Sequence, residues 1–151
     1  MLQRLAAVIA LCAAGSQAWQ GNVVATYERA LQGGCTPSTD SKIRLLSGTS
    51  GECVTLGTDK GVKNCDQYRW DGTRAIEDGG GCQGKDSFYP YAAGYLDDDN
   101  VGLKCEFFSQ AECGGSALAF KPIREQCADD DALYAGVNGD TQLHSFKCKK
   151  P

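Results

Sequence analysis

Nine cysteines stand in a chain of 151 residues, and one of them, Cys12, lies in a segment unlike the rest. Met1 to Ala18 has the three parts of a secretory signal: a basic start at Arg4, an apolar run from Leu5 to Ala14, and a small-residue end at Ser16-Gln-Ala18. The apolar run is about half of the roughly 20 residues a membrane-spanning helix needs, so cleavage after Ala18 is expected rather than anchoring. Cys12 then leaves with the signal. Eight cysteines remain: Cys35, Cys53, Cys65, Cys82, Cys105, Cys113, Cys127 and Cys148. An even set in an exported chain predicts four disulfides, with a pairing that sequence alone does not reveal. No two of these cysteines lie two to four residues apart, as zinc-ligand pairs do, which argues against a metal site.

Residues 19–151 suit one secreted domain. Each bridge across loops of this size contributes roughly 2–4 kcal/mol, so the set rivals the net stability of an ordinary domain. No later stretch is apolar enough to span a bilayer, and the tail Phe146–Pro151 is not the hydrophobic end that a lipid-anchor signal requires. Once Arg4 is removed, 14 basic side chains face 19 acidic ones. That excess of negative charge argues against nucleic acid and against anionic membranes as partners. The chain also lacks an Asn-x-Ser/Thr acceptor for N-glycosylation.

Short segments rich in branched or aromatic residues and bounded by glycine predict an all-β fold. They are Lys42–Leu46, Cys53–Leu56, Cys105–Phe108, Ala117–Phe120 and Leu143–Cys148. An internal repeat organises them. Tyr27-Glu-Arg-Ala-Leu-Gln-Gly-Gly34 aligns without a gap on Phe108-Ser-Gln-Ala-Glu-Cys-Gly-Gly115, at an offset of 81 residues. The same offset sets Val62-Lys-Asn64 on Leu143-His-Ser145, so each copy carries a strand-like segment 37 residues after its opening aromatic. The physical reading is a strand that runs into a folded hairpin: the aromatic packs on the turn, and glycine supplies a positive φ.

An aromatic, a glycine seven residues later and a serine-bearing strand near the end of a unit of roughly 40 residues resemble the Greek-key motif of the βγ-crystallin superfamily. Phe108, Gly115 and Ser145 match all three positions, and Tyr27 and Gly34 match the first two. Gln32 and Cys113 stand where the family has a second aromatic, and Asn64 stands where it has the serine. The cysteine-rich, acidic, exported form of the pattern is also similar to small secreted proteins of filamentous fungi with crystallin-like or killer-toxin-like folds. The resemblance implies a disulfide-stapled β-sandwich of two Greek keys, about 22–66 and 103–151, joined by an insert over about 67–102.

Candidate sites are few. The crystallin-type calcium window, Asp140-Thr-Gln-Leu-His-Ser145, has Thr141 and His144 where oxygen donors are wanted, and the first copy is poorer still, so no metal or other cofactor is expected. The acidic runs Asp97–Asn100 and Asp129–Asp131 read as solvated surface. His144 is the only histidine, which excludes two-histidine ribonuclease chemistry, and strand alternation assigns it a packing role beside Phe146 and Cys148. No catalytic residue is assigned. Phe88-Tyr-Pro-Tyr-Ala-Ala-Gly-Tyr95 is the most aromatic stretch, and Tyr89, Tyr91 and Tyr95 either line the core or present ring faces to a sugar or a protein. The expected function is that of a non-enzymatic, effector-like or toxin-like secreted protein whose partner is an extracellular protein or cell-wall carbohydrate. The alternative is a small carbohydrate-active hydrolase with two carboxylates, or a carbohydrate-binding module.

Overall fold

The computed structural model describes residues 24–32, 36–58, 60–79, 82, 88–95, 103–119 and 135–149. The signal segment, Gly34, Cys35, Cys127 and both acidic runs lie outside the described residues. The fold is all-β, with nine strands among the described residues: β1 (Val24–Tyr27), β2 (Lys42–Gly48), β3 (Cys53–Thr55), β4 (Val62–Trp70), β5 (Ala75–Glu77), β6 (Ala92–Tyr95), β7 (Lys104–Phe108), β8 (Ala135–Asn138) and β9 (Ser145–Lys149). One 3₁₀ turn, Ala111–Cys113, follows β7. All pairings are antiparallel, in a six-stranded sheet ordered β5-β4-β2-β1-β6-β8 and a three-stranded sheet ordered β3-β9-β7.

The pairing has an internal symmetry. In the large sheet β6 runs between β1 and β8, with Tyr27 opposite Ala92 and Ala93 opposite Val137. In the small sheet β9 runs between β7 and β3, with Phe108 opposite Ser145 and Phe146 opposite Val54. Each sheet thus takes a strand from the other half of the chain: β3 joins the later strands, and β8 joins the earlier ones. Such an exchange makes neither sheet separable from the other.

Alternation along the strands explains the core. Val24, Leu46, Ala93, Tyr95 and Val137 from the large sheet meet Val54, Cys105, Phe107, Phe146 and Cys148 from the small one. Phe107 and Phe146 are register partners with no exposed surface, their ring centroids 5.8 Å apart. Truncation of either to alanine is expected to cost about 3–5 kcal/mol.

Three disulfides tie the described strands: Cys53–Cys113, Cys65–Cys82 and Cys105–Cys148. Cys105 and Cys148 are register partners inside the core, whereas Cys53–Cys113 links β3 to the turn after β7. The expected boundary near residue 66 falls within β4, and β4, β5 and β6 all belong to the large sheet, so residues 67–95 supply sheet strands. Asn64 lies on β4 and donates to the Ser47 hydroxyl at 3.1 Å beside an irregularity in the β2–β4 register. Its strand pairs with β2, not with the strand carrying Tyr27, so it has a different setting from Ser145. Of the expected strands, Ala117–Phe120 yields one bridge, from Ala117 to Phe108, and Phe120 lies outside the described residues.

The β4–β5 hairpin turns through Asp71 to Arg74. Asp71 accepts from the backbone N–H groups of Thr73 and Arg74, both at 2.8 Å, and these bonds hold its carboxyl below the usual carboxylate range. Gly72, at φ 104°, supplies the left-handed residue the turn needs.

Candidate functional site

Two places concentrate the chemistry. The first is the turn after β7, where Phe108, Gly115 and Ser145 converge. Phe108 ends β7 and is 4% exposed, Ser145 opens β9 directly opposite, and Ser145 is fully buried. The Ser145 hydroxyl accepts from the Cys113 N–H at 2.8 Å and donates to the Gln110 carbonyl at 2.5 Å. Glu112 (φ 55°) and Cys113 (φ 56°) both adopt the left-handed region, which non-glycine residues enter at an energetic cost of roughly 1–2 kcal/mol each. The bridge to Cys53 and the bonds to Ser145 hold them there. Gly115 closes the turn at φ 76° against the Gln110 side chain. Lys147 covers the outer face, 3.1 Å from the Glu106 carboxylate and 5.4 Å from the Phe108 ring centroid. This region is a structural clamp. Tyr27 ends β1 as Phe108 ends β7, and its backbone carbonyl accepts from Tyr91 N–H at 3.0 Å.

The second place is the end of the sandwich where residues 88–91 run beside 141–144. Leu143 N–H donates to the Pro90 carbonyl at 2.7 Å, and Gly139 N–H to the Tyr91 carbonyl at 3.3 Å. Tyr89 lies flat on His144, with ring centroids 4.3 Å apart and an interplanar angle of 23°. Beneath it Gly57, at φ 83°, leaves the space the ring takes, since a Cβ there would come within 2.8 Å of ring carbons. The His144 backbone is itself fixed, its carbonyl accepting from Leu56 N–H and its backbone N–H donating to the Phe108 carbonyl, both at 2.9 Å. Tyr89 is thus packed between His144 and Gly57 while 36% of its surface stays open to solvent. Rigid, partly exposed aromatic rings give contact area at small entropic cost.

Two residues further on, Tyr91 lines an open cleft of about 140 Å³ with Leu118, Val137, Gly139, Thr141 and Leu143. Among the described residues its lining holds hydroxyls and apolar groups and no carboxylate. The three tyrosines singled out by composition thus divide: Tyr89 is exposed, Tyr91 lines the cleft, and Tyr95 is a core residue at 6% exposure. His144 packs, but on Tyr89 rather than with Phe146 and Cys148, because it precedes β9 and is only half-buried.

Sequence reasoning passed over Gly57 and Arg44. The Arg44 side chain is buried on β2, its guanidinium 4.4 Å from the Phe88 ring centroid. Arg44 Nε donates to Gln67 Oε1 at 3.0 Å, and Gln67 Nε2 to Asp78 Oδ2 at 2.8 Å. This buried chain of polar groups ties β2, β4 and the end of β5 to the aromatic segment, and lone Arg, Gln and Asp residues far apart in sequence carry no signal of it.

Among the described residues no group of three or more His, Cys, Asp or Glu side chains is placed to hold a metal ion, and no helix is long and apolar enough to cross a membrane. Comparison of the chain with protein-family models, with curated proteins and with solved structures finds no match.

Proposed function

We propose that this is an exported, disulfide-stapled protein of two βγ-crystallin-type Greek keys that acts by binding, in an effector-like or toxin-like role of the kind its resemblance to fungal secreted proteins suggests. On this reading the first key comprises β1, β2, β3 and β6, and the second comprises β7, the Ala117 bridge, β8 and β9. The exchange of β3 and β8 between sheets supports it. So does the parallel between Tyr27 facing Ala92 and Phe108 facing Ser145. Ala92, not Asn64, then takes the place of the serine in the first key, and the β4–β5 hairpin is an elaboration inserted before its closing strand.

The observation that carries the binding role is Tyr89, an exposed ring stacked on His144 and seated against Gly57. Export through the Met1–Ala18 signal places that surface outside the cell, against an extracellular protein or cell-wall carbohydrate. Among the described residues no carboxylate lines the Tyr91 cleft, so the described lining lends a hydrolase no support.

The test is co-sedimentation of the purified, disulfide-intact protein with insoluble cell-wall polysaccharides and with whole cells, beside an assay for released reducing sugar. Retention that falls at least fivefold in Tyr89→Ala, without sugar release, is expected. Reducing ends appearing with time would establish the hydrolase instead, and retention equal in the two proteins would remove Tyr89 from the contact surface.

A further inference from the structure

One edge of the six-stranded sheet is β5, and all three of its residues are exposed. At one end of its ladder with β4, Asp78 N–H donates to the Gln67 carbonyl at 2.9 Å; at the other, Asp71 N–H donates to the Arg74 carbonyl at 3.1 Å. Opposed residues in an antiparallel ladder alternate between hydrogen-bonded and non-hydrogen-bonded pairs. With Gln67–Asp78 and Asp71–Arg74 bonded, Arg69–Ile76 is the bonded pair between them, and Tyr68–Glu77 and Trp70–Ala75 are the open ones. The N–H and C=O groups of Ala75 and Glu77 therefore point away from β4, along the free edge. Ile76, at 37%, is with Tyr89 one of the two exposed large hydrophobic side chains among the described residues.

We propose that β5 is a self-pairing edge through which two copies of this chain dimerise, antiparallel, about a twofold axis at Ile76. The sequence Arg74-Ala-Ile-Glu-Asp78 is self-complementary in that register. Ala75 faces the partner's Glu77 as a hydrogen-bonded pair on each side of the axis, giving four backbone bonds from the groups that point outward. Ile76 faces its own copy across a non-hydrogen-bonded position, where side chains approach closest. Arg74 faces the partner's Asp78, whose Oδ2 also accepts from Gln67 Nε2 at 2.8 Å, so opposite charges approach at both ends. Centring the pairing on Glu77 would instead set two glutamates against each other, so charge disfavours that register. Edge charges commonly discourage strand addition by foreign chains, and here they discriminate for self. The interface is isologous and closes at two copies. It is independent of the cleft and of any ligand there.

Sedimentation equilibrium of the exported, disulfide-intact protein over a wide concentration range tests this. The weight-average mass is expected to rise from one chain toward two. Ile76→Lys and Arg74→Glu, each checked for an unchanged far-ultraviolet circular dichroism spectrum, should each return it to one chain. A single-chain mass at every concentration, or a dimer that survives Ile76→Lys, would overturn the proposal.

Discussion

The Ser145 hydroxyl stands between the Cys113 N–H, 2.8 Å away, and the Gln110 carbonyl, 2.5 Å away, so one buried side chain holds both ends of the turn after β7. Replacing it with alanine leaves a backbone donor and a backbone acceptor without their partner. Ser145→Ala is expected to lower stability by about 1–3 kcal/mol, read as a shift of the urea midpoint with an unchanged slope. Proteolysis near residues 109–116 should quicken with it. An unchanged midpoint would mean that the Cys53–Cys113 bridge alone fixes the turn.

That bridge should also open before Cys105–Cys148. Both Cys53 and Cys113 are half-buried, and Cys113 carries a left-handed backbone, whereas Cys105 and Cys148 are 2% and 0% exposed. Thiol–disulfide exchange requires access to sulfur. Limited reduction followed by alkylation and peptide mapping is expected to label Cys53 and Cys113 before Cys105 and Cys148. Complete mapping should return the three described pairs. If cleavage after Ala18 removes Cys12, a fourth bridge would join Cys35 and Cys127, which lie outside the described residues.

Gly57 and Gly139 make a matched comparison. Gly57 has φ 83° and would bring a Cβ within 2.8 Å of the Tyr89 ring, while a Cβ at Gly139 meets nothing within 4 Å. Gly57→Ala is expected to cost about 1–3 kcal/mol and to lift Tyr89 from His144, visible as a loss of ring-current shift on the His144 proton resonances. Gly139→Ala should stay within about 0.5 kcal/mol of the parent. Equal effects from the two would disprove a seat for Tyr89 on Gly57.

The clamp was legible in the sequence because its parts obey local stereochemistry: an aromatic at a strand end, a glycine with positive φ, and a short polar side chain that reaches the backbone. Phe108, Gly115 and Ser145 therefore stand out even in a single copy. The strand pairing with β1 was hidden for an equally physical reason. Ala92 and Ala93, at 0% and 1% exposure, sit in an inner strand covered on both faces, so β6 carries small residues and no alternation. Asn64 was drawn into the repeat by its spacing, but spacing cannot see a hairpin inserted between a strand and its partner. The aromatic stretch was legible as a cluster, not as an arrangement: whether a tyrosine is core or surface depended on Gly57 and His144, which approach Tyr89 from distant parts of the chain.

Tyr27 supplies a dependence on alkaline pH whose sign is fixed. Burial at the end of β1 pushes its phenol from 10.0 up to about 12. Above pH 10 the unfolded chain gives up this proton while the folded chain keeps it, so unfolding releases a proton and rising pH favours it. The contribution is complete below pH 10 and is lost as pH rises toward 12, in all roughly 2–3 kcal/mol. Tyr27→Phe keeps the ring and removes the titration. Between pH 10 and 11.5 the urea midpoint of the parent is expected to fall more steeply than that of Tyr27→Phe, in measurements brief enough to spare the disulfides. Parallel declines would show that Tyr27 ionises as readily in the folded chain as in the unfolded one, and that the end of β1 is not shielded from water.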